Sequence, residues 1–198
     1  MIRDEPSRTD TSSAEPSDDD RPDQQVFDRW RTDTLAVLWR AETARIDVYV
    51  RSMLPPAGAK ESQTAVIERL KGLLEDSLVD DLTINVWGRR ICLCDQCRGT
   101  ETGRIMLGTV REFQFWGEEY DASVESTFEH RTQSSSITGA EYESITPPRV
   151  TTALYVDGDL RGVFPCVMGE RHCTVVDLYE TLAEAESGVR RDNLEPPT

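Results

Sequence analysis

Two stretches of alternating apolar residues, with one amphipathic helix between them, constrain the fold of this chain most strongly. In an extended chain Ile46, Val48 and Val50 lie on one side and polar residues lie on the other, which predicts a half-buried strand. The stretch 82–86 shows the same alternation. Between the two strands, apolar residues recur at helical spacing over 62–76. A strand, a helix and a strand with short connections predict a β-α-β unit with a right-handed crossover.

The rest of the chain adds a further helix, a third strand, a hairpin and a final helix. The hairpin is the clearest, because Asp157-Gly158 between two strand-like runs is a strong signal for a two-residue turn. The order β-α-β-α-β-β-β-α predicts an α+β fold, with one mixed sheet of about five strands and helices packed largely on one face. The additional segments are a helix from 100–102 onward, a strand at 124–128, an irregular stretch at 132–148, strands at 149–156 and 159–165, and a helix beginning at 174.

The predicted boundaries divide the chain into two tails, one separate helix and one domain. Residues 1–22 are rich in Ser, Asp, Glu and Pro and are predicted to be a disordered acidic tail. Residues 23–44 are predicted to form an amphipathic helix with two tryptophans, which either packs on the domain or serves as a dimerisation helix. A single α+β domain over 45–186 and a flexible tail over 187–198 complete the division.

The charge balance constrains the habitat and the partners. The chain holds 37 acidic residues against 22 basic ones, and all of the basic residues except Lys60 and Lys71 are arginine. A dense carboxylate surface with almost no lysine favours an extreme halophile, because molar salt shortens the Debye length to about 3 Å and screens the repulsion. The alternative is an acidic mesophilic protein from a GC-rich genome. Positive charge gathers only within 89–111, which leaves one candidate region for nucleic acid.

Neither a secretory signal nor a membrane span is predicted. The N-terminal residues contain no apolar core segment, and no apolar run approaches the length of a membrane-spanning helix. We therefore expect a cytoplasmic protein with no membrane partner. In a reducing cytoplasm, the five cysteines are expected to bind metal, sense redox state or be buried, rather than to form structural disulfides.

The cysteines are the strongest chemical signal. Cys94 and Cys97 have C-x-x-C spacing, which suits two thiolates on one soft metal such as zinc, and Cys92 adds a third sulfur. A fold that brought the distant soft donors of the chain to this motif would complete a tetrahedral site. One alternative is a redox-sensing dithiol, because nearby arginines would lower the thiol pKa. Another is that Cys92 and Cys166 are buried small apolar residues, while Cys94 and Cys97 are incidental. The distant donors are Cys166, His172 and Cys173.

The densest group of positive charge predicts the nucleic-acid contacts. Arg89 and Arg90 follow a glycine at the end of the second strand, where a wing-like tip would reach phosphate groups. Arg98 lies just before the next helix, whose N-terminus attracts anions. The alternative is a set of salt bridges with the many carboxylates, which we favour for Arg104 and Arg111.

No catalytic motif is present in the sequence. The two histidines, His130 and His172, lack a serine or an aspartate at triad spacing. There is no nucleophile elbow, phosphate-binding loop, dinucleotide-binding glycine motif or H-E-x-x-H sequence. We therefore expect a protein without enzymatic activity.

Six segments share a combination of motifs that is distinctive as a set. They are 48–56 (VYVRSMLPP), 66–70 (VIERL), 86–92 (VWGRRIC), 111–113 (REF) with Trp116, 162–166 (GVFPC) and 174–178 (TVVDL). Together these segments resemble small haloarchaeal proteins catalogued as helix-turn-helix domain proteins. The resemblance implies a cytoplasmic regulator with DNA as its partner. The spacing itself predicts a strand, not a second helix, directly after the helix at 62–76.

Three functions are therefore open from the sequence. The first is a haloarchaeal regulator that binds DNA, which exposed arginines at 89 and 90 would favour. The second is a cysteine-based module that binds metal or senses redox state, which convergence of the soft donors would favour. The third is a non-catalytic oligomerisation or interaction protein, such as a homodimer formed through the first helix.

Overall fold

The computed structural model describes residues 22–76, 78–134 and 141–192, and the fold is α+β, as predicted. The predicted tails lie outside the described residues, apart from Pro22 and the end of the last helix. The helices are α1 (Pro22–Leu38), α2 (Ala57–Glu75), α3 (Asp95–Gly99), α4 (Glu101–Glu119) and α5 (Val175–Asp192). The strands are β1 (Ala44–Val50), β2 (Asp81–Val86), β3 (Ile91–Cys92), β4 (Ala122–Ser123), β5 (Glu129–Ser134), β6 (Glu141–Thr146), β7 (Val150–Val156), β8 (Asp159–Phe164), β9 (Cys166–Met168) and β10 (Arg171–Cys173).

A mixed sheet with the order β2-β1-β7-β8 is the centre of the fold. β1 pairs in parallel with β2 and antiparallel with β7, and β7 pairs antiparallel with β8. The predicted β-α-β unit is therefore present as β1, α2 and β2. The β7–β8 hairpin turns at Asp157 and Gly158, whose φ angles of 51° and 90° fit the predicted two-residue turn.

The remaining strands form two small sheets and do not extend the central one. One has the order β10-β9-β4 and the other has the order β3-β6-β5. The predicted single sheet of about five strands is thus replaced by one four-stranded sheet and two three-stranded sheets. Alternation along a strand shows which residues face a core, but the pairing partner depends on contacts between distant parts of the chain.

The stretch 124–128, which was predicted to be a strand, forms a turn instead. The N–H groups of Thr127 and Phe128 both donate to the carbonyl of Val124, and the Thr127 hydroxyl donates to it at 2.7 Å. This turn buries Val124 and Phe128 together, because residues four apart on a helical turn share a side. The strand begins just afterwards as β5 and pairs with β6, within the stretch that was predicted to be irregular.

Three helices form a layer on one face of the central sheet. Phe164 shares this face with Val48, because the pairs Val48↔Thr152 and Thr152↔Phe164 stand opposite each other across antiparallel strands. Trp30 of α1 meets the Phe164 ring edge-on, with ring centroids 5.2 Å apart. α5 contacts both α1 and α2 and completes the layer. The apolar side of α1 is thus buried within the chain, although Trp39 just beyond it remains 53% exposed.

The helix α4 covers the opposite face. Phe113 of this helix meets the ring of Tyr49, the neighbour of Val48 in β1, with the ring centroids 5.6 Å apart. Trp87 and Phe128 complete an aromatic cluster with centroid separations of 4.8–6.3 Å. Within the described residues, no helix combines the length and the apolar character needed to cross a membrane.

Gly117 and Gly108 lie in the same helix, α4, and provide a matched test of its packing. A Cβ at Gly117 would lie 2.4 Å from the carbonyl oxygen of Ala122, whereas a Cβ at Gly108 meets nothing within 4 Å. We expect Gly117→Ala to lower the free energy of unfolding by about 1–3 kcal/mol because the backbone must shift. We expect Gly108→Ala to raise it by up to about 1 kcal/mol, since alanine favours helix. Urea denaturation followed by circular dichroism measures both, and equal effects would contradict this packing.

Candidate functional site

The connection from β2 to α4 carries most of the predicted site residues. Its first residue still belongs to the sheet edge, since the N–H of Trp87 donates to the carbonyl of Val50 at 3.1 Å. The chain then turns at Gly88, whose φ of 79° lies in the left-handed region that glycine tolerates. The short strand β3 pairs with β6, and α3 follows with Cys94 at its N-cap. A strand, a bend and a short helix thus follow one another over 91–99.

The sulfur atoms of Cys92, Cys94 and Cys97 form one cluster on this connection. All three lie within 4.8 Å of one another, and the Sγ atoms of Cys92 and Cys94 are 3.2 Å apart. Cys92 ends β3, Cys94 precedes α3, and Cys97 lies inside that helix. The bend from strand to helix therefore brings these sulfurs together. All three residues are half-buried, so the cluster remains accessible from solvent.

Hydrogen bonds give these thiols different acidities. The backbone N–H of Cys97, followed by the side chains of Cys92 and Cys97, lowers the pKa of Cys94 below its usual value. Hydrogen bonds with Cys92 and Cys94 raise the pKa of Cys97 to about 12. The acidity of Cys94 thus comes from hydrogen bonds, and not from the nearby arginines that the sequence suggested as its cause. Cys94 is therefore the more readily ionised of these two thiols.

The distant soft donors do not join this cluster. Cys166 and Cys173 stand opposite each other on β9 and β10, where both are buried, and His172 is exposed on β10. Among the described residues, one group of three or more His, Cys, Asp or Glu side chains has its ligand atoms within 4.8 Å of one another. That group is Cys92, Cys94 and Cys97. The five-residue metal site predicted from the sequence is not assembled, because β9 and β10 belong to a different sheet from β3.

The pair on β9 and β10 has the character of a buried apolar contact. The hydrogen bond with Cys173, together with burial, raises the pKa of Cys166 well above its usual value. A thiol that stays protonated neither ligates metal nor attacks an electrophile readily. The same hydrogen bond lowers the pKa of Cys173, which is nevertheless completely buried. The alternative of a small buried side chain therefore agrees best with the structure for Cys166.

The predicted nucleic-acid contacts Arg89, Arg90 and Arg98 are all exposed. Arg89 and Arg90 lie on the loop between β2 and β3, and Arg98 lies in the last turn of α3. Arg89 also lines a cavity together with Arg51 and Arg149, two residues that sequence reasoning missed. Those two lie about a hundred positions apart in the sequence and meet only through the pairing of β1 with β7.

The arrangement nearest to a helix-turn-helix among the described residues is α3 followed by α4. Thr100 alone separates them, and its hydroxyl donates to the carbonyl of Cys97 at 2.7 Å and accepts from the N–H of Gly103 at 3.0 Å. A Cβ at Gly103 would lie 1.9 Å from the Cys97 oxygen, so glycine allows the close approach. α3 has only five residues, and α2 is followed by a strand, as the sequence predicted.

Comparison with known proteins places this geometry in a family. A family model described as a helix-turn-helix domain matches residues 39–187. The chain belongs to this family. The helix-turn-helix domain match begins just after α1 and ends within α5, so it includes the central sheet, the cysteine cluster and α4. No curated protein matches the chain, and no solved structure matches it.

The different acidities of the thiols predict an order of chemical modification. We expect iodoacetamide to label Cys94 at lower pH than Cys97, because the thiolate is the reactive form and a lowered pKa produces it earlier. Both residues fall in the tryptic peptide 91–98, where fragment ions in mass spectrometry assign the modified position. Cys166 is the internal control and should stay unlabelled in the folded protein. Labelling of Cys97 before Cys94 would contradict the hydrogen-bonding pattern of the cluster.

Proposed function

We propose that this protein is a non-enzymatic regulator that binds DNA through the connection between β2 and α4. The observation that carries the proposal is membership of the helix-turn-helix domain family over residues 39–187. Proteins of this kind place one helix against the major groove while neighbouring groups contact the backbone phosphates. Here α4 is the candidate for the groove, and Arg89, Arg90 and Arg98 are the candidates for the phosphates.

The distribution of charge supports this face as the one that meets DNA. The chain has a net charge of −15, so most of its surface repels a polyanion. Arg89, Arg90 and Arg98 are exposed within a ten-residue stretch, and guanidinium groups bind phosphate oxygens through paired hydrogen bonds. The repulsion elsewhere would orient the protein so that this stretch approaches first.

The same composition supports a halophilic and cytoplasmic setting, which we include in the proposal. Two lysines against twenty arginines, with 37 acidic residues, suit a surface that stays hydrated in concentrated salt. At molar salt, counterion release adds little affinity for DNA. Direct hydrogen bonds and contacts to base edges would then contribute a larger share of the binding energy.

Replacing Arg89, Arg90 and Arg98 together by alanine tests the DNA interface. We expect weaker binding and a shallower salt dependence, because the slope of log K against log salt falls by about 0.9 for each phosphate that the variant no longer neutralises. Fluorescence anisotropy with a pool of labelled genomic fragments at several salt concentrations measures both quantities. Arg40→Ala, at an exposed arginine after α1, is the matched control and should bind like the unmodified protein.

Two outcomes of this titration would contradict the proposal. Unchanged affinity and slope in the triple variant would exclude this face as the interface. Absence of binding by the unmodified protein at every salt concentration would exclude DNA as the partner.

A second candidate function is a thiolate-based module that binds a soft metal or senses redox state. The observation that favours it is the cluster of Cys92, Cys94 and Cys97, whose sulfurs lie within 4.8 Å of one another. Three thiolates suit zinc or another thiophilic ion and leave a fourth position for water or a further ligand. The close pair of Cys92 and Cys94 is equally suited to reversible oxidation.

The metal content of the purified protein distinguishes a metal-binding cluster from cysteines that have no function. Protein purified without chelator should carry about one zinc per chain, measured by mass spectrometry of metals, and Cys94→Ser should lose it. Cys166→Ala is the matched control and should retain the metal, because that buried thiol lies outside the cluster. Equal loss in both variants would contradict a site at the cluster. A metal-free protein whose Cys92 and Cys94 oxidise reversibly would leave redox sensing as the function of these cysteines.

A further inference from the structure

A cavity of about 530 Å³ opens at one end of the central sheet, and the described residues that line it include three arginines and no carboxylate. Arg51 follows β1, Arg89 lies beyond the end of β2, and Arg149 precedes β7. Pro55, Pro56 and the first turn of α2 contribute to the rest of the wall. In a chain with 37 acidic and 22 basic residues, a concave surface whose described charged residues are all basic is contrary to the average composition.

Strand pairing explains why these arginines meet. Val50 at the end of β1 pairs with Val86 of β2 in parallel and with Val150 of β7 antiparallel. The next positions remain neighbours, since the N–H of Arg51 donates to the carbonyl of Arg149 at 3.2 Å. The cavity therefore lies at the carboxyl ends of two parallel strands, beside the start of the helix that connects them. In sheets with parallel strands this is the usual place for a ligand.

Within the described residues, neither Arg89 nor Arg149 has an ion-pair partner. Arg51 is fixed by hydrogen bonds to a backbone carbonyl, and burial, followed by the charge of Arg149, lowers its pKa. The carboxylate of Glu129 acts on Arg51 in the opposite direction, but it is paired with Arg131. Like charges held together in this way favour the binding of an anion.

The first turn of α2 increases the positive potential of the cavity. This 19-residue helix has no acidic residue in its first turn, and no side chain caps it. The N–H groups of Ala59 and Lys60 donate to the carbonyl of Pro56, so the N–H groups of Ala57 and Gly58, together with the helix dipole, are the ones that favour an anion. A Cβ placed on Gly58, one of the lining residues, would meet nothing within 4 Å, so there is space beside this turn.

We propose that this cavity binds a small organic phosphate monoester, a ligand that goes beyond the proposed DNA-binding function. A phosphate monoester carries about 1.5 to 2 negative charges at neutral pH, and several guanidinium groups can share its oxygens. Pro55 and Pro56 offer an apolar surface for the organic part. The volume falls within the range of small-molecule sites. A backbone phosphate of duplex DNA enters a concave site poorly, because the duplex is wide and stiff.

A substitution at Arg149 tests the cavity without altering the proposed DNA interface. Arg89 belongs to both, because it lines the cavity and is also a candidate phosphate contact of the DNA-binding face. Arg149 belongs to the cavity alone, and its exposed side chain can be replaced without removing a described hydrogen bond of the fold. Arg51 is less suitable, because its side chain bonds to the carbonyl of Pro147 and also stabilises the loop.

Isothermal titration calorimetry with adenosine 5′-monophosphate, inorganic phosphate and adenosine tests the assignment at constant ionic strength. We expect the monophosphate to bind saturably to the unmodified protein, inorganic phosphate to bind more weakly, and adenosine not to bind. Arg149→Ala should weaken binding of the monophosphate by about tenfold or more, since the variant cannot form a charge-assisted hydrogen bond there. Arg149→Lys should fall in between, and Arg40→Ala should match the unmodified protein. Duplex DNA binding by Arg149→Ala should be unchanged.

Three results would overturn the proposal. The first is that neither phosphate compound binds saturably, or that Arg149→Ala binds the monophosphate as tightly as the unmodified protein does. The second is inorganic phosphate that binds as tightly as the monoester, which would assign the cavity to free phosphate. The third is an equal loss of DNA binding in Arg149→Ala, which would make the cavity part of the DNA interface. If the unmodified protein does not bind DNA, only the regulator proposal fails, since the calorimetry does not depend on it.

Discussion

The pairing of β1 along both of its edges is the interaction on which the rest of the structure depends. Its residues Ile46, Val48 and Val50 are completely buried, and its backbone is shared between β2 and β7. At the start of the strand, the carboxylate of Asp80 accepts from the N–H of Ala44 at 2.7 Å, and that of Asp157 accepts from two N–H groups at 2.9 Å. Carboxylates thus fix one end of β1, while the other end leads into the arginine-lined cavity.

The two ends of β1 thus differ in charge, with carboxylates at one end and arginines at the other. Carboxylates exceed basic groups by 15, so a solvated acidic surface is the default for any exposed segment. Within the described residues, Arg89 and Arg149 have no ion-pair partner, and both lie just outside the ends of strands that meet at the cavity. The loop with Arg89 then continues directly into the cysteine cluster and α4, so one wall residue of the cavity is close in sequence to both.

The junction between α3 and α4 connects the cysteine cluster to the long helix through a rigid contact. Thr100 bridges the end of one helix and the start of the other, and the missing side chain of Gly103 lets their backbones touch. Cys97 contributes both a sulfur to the cluster and the carbonyl that Thr100 binds. Because Thr100 holds the carbonyl of Cys97 and the N–H of Gly103, a movement of α3 would be transmitted to the first turn of α4.

Local sequence patterns are enough to predict the β-α-β unit, the hairpin at Asp157-Gly158, the start of α4 at Thr100 and the α+β class. These follow from periodicity, turn residues and caps, which act over a few positions. The sequence also marked Cys94, Cys97 and the arginines at 89, 90 and 98 as candidate site residues, because spacing and charge are local as well. The tertiary structure was needed to show that the described strands form three sheets and that Cys166 and Cys173 pair away from the cluster of Cys92, Cys94 and Cys97. It alone placed Arg51 and Arg149 in one cavity, because strand register between segments a hundred residues apart depends on the burial of the whole core.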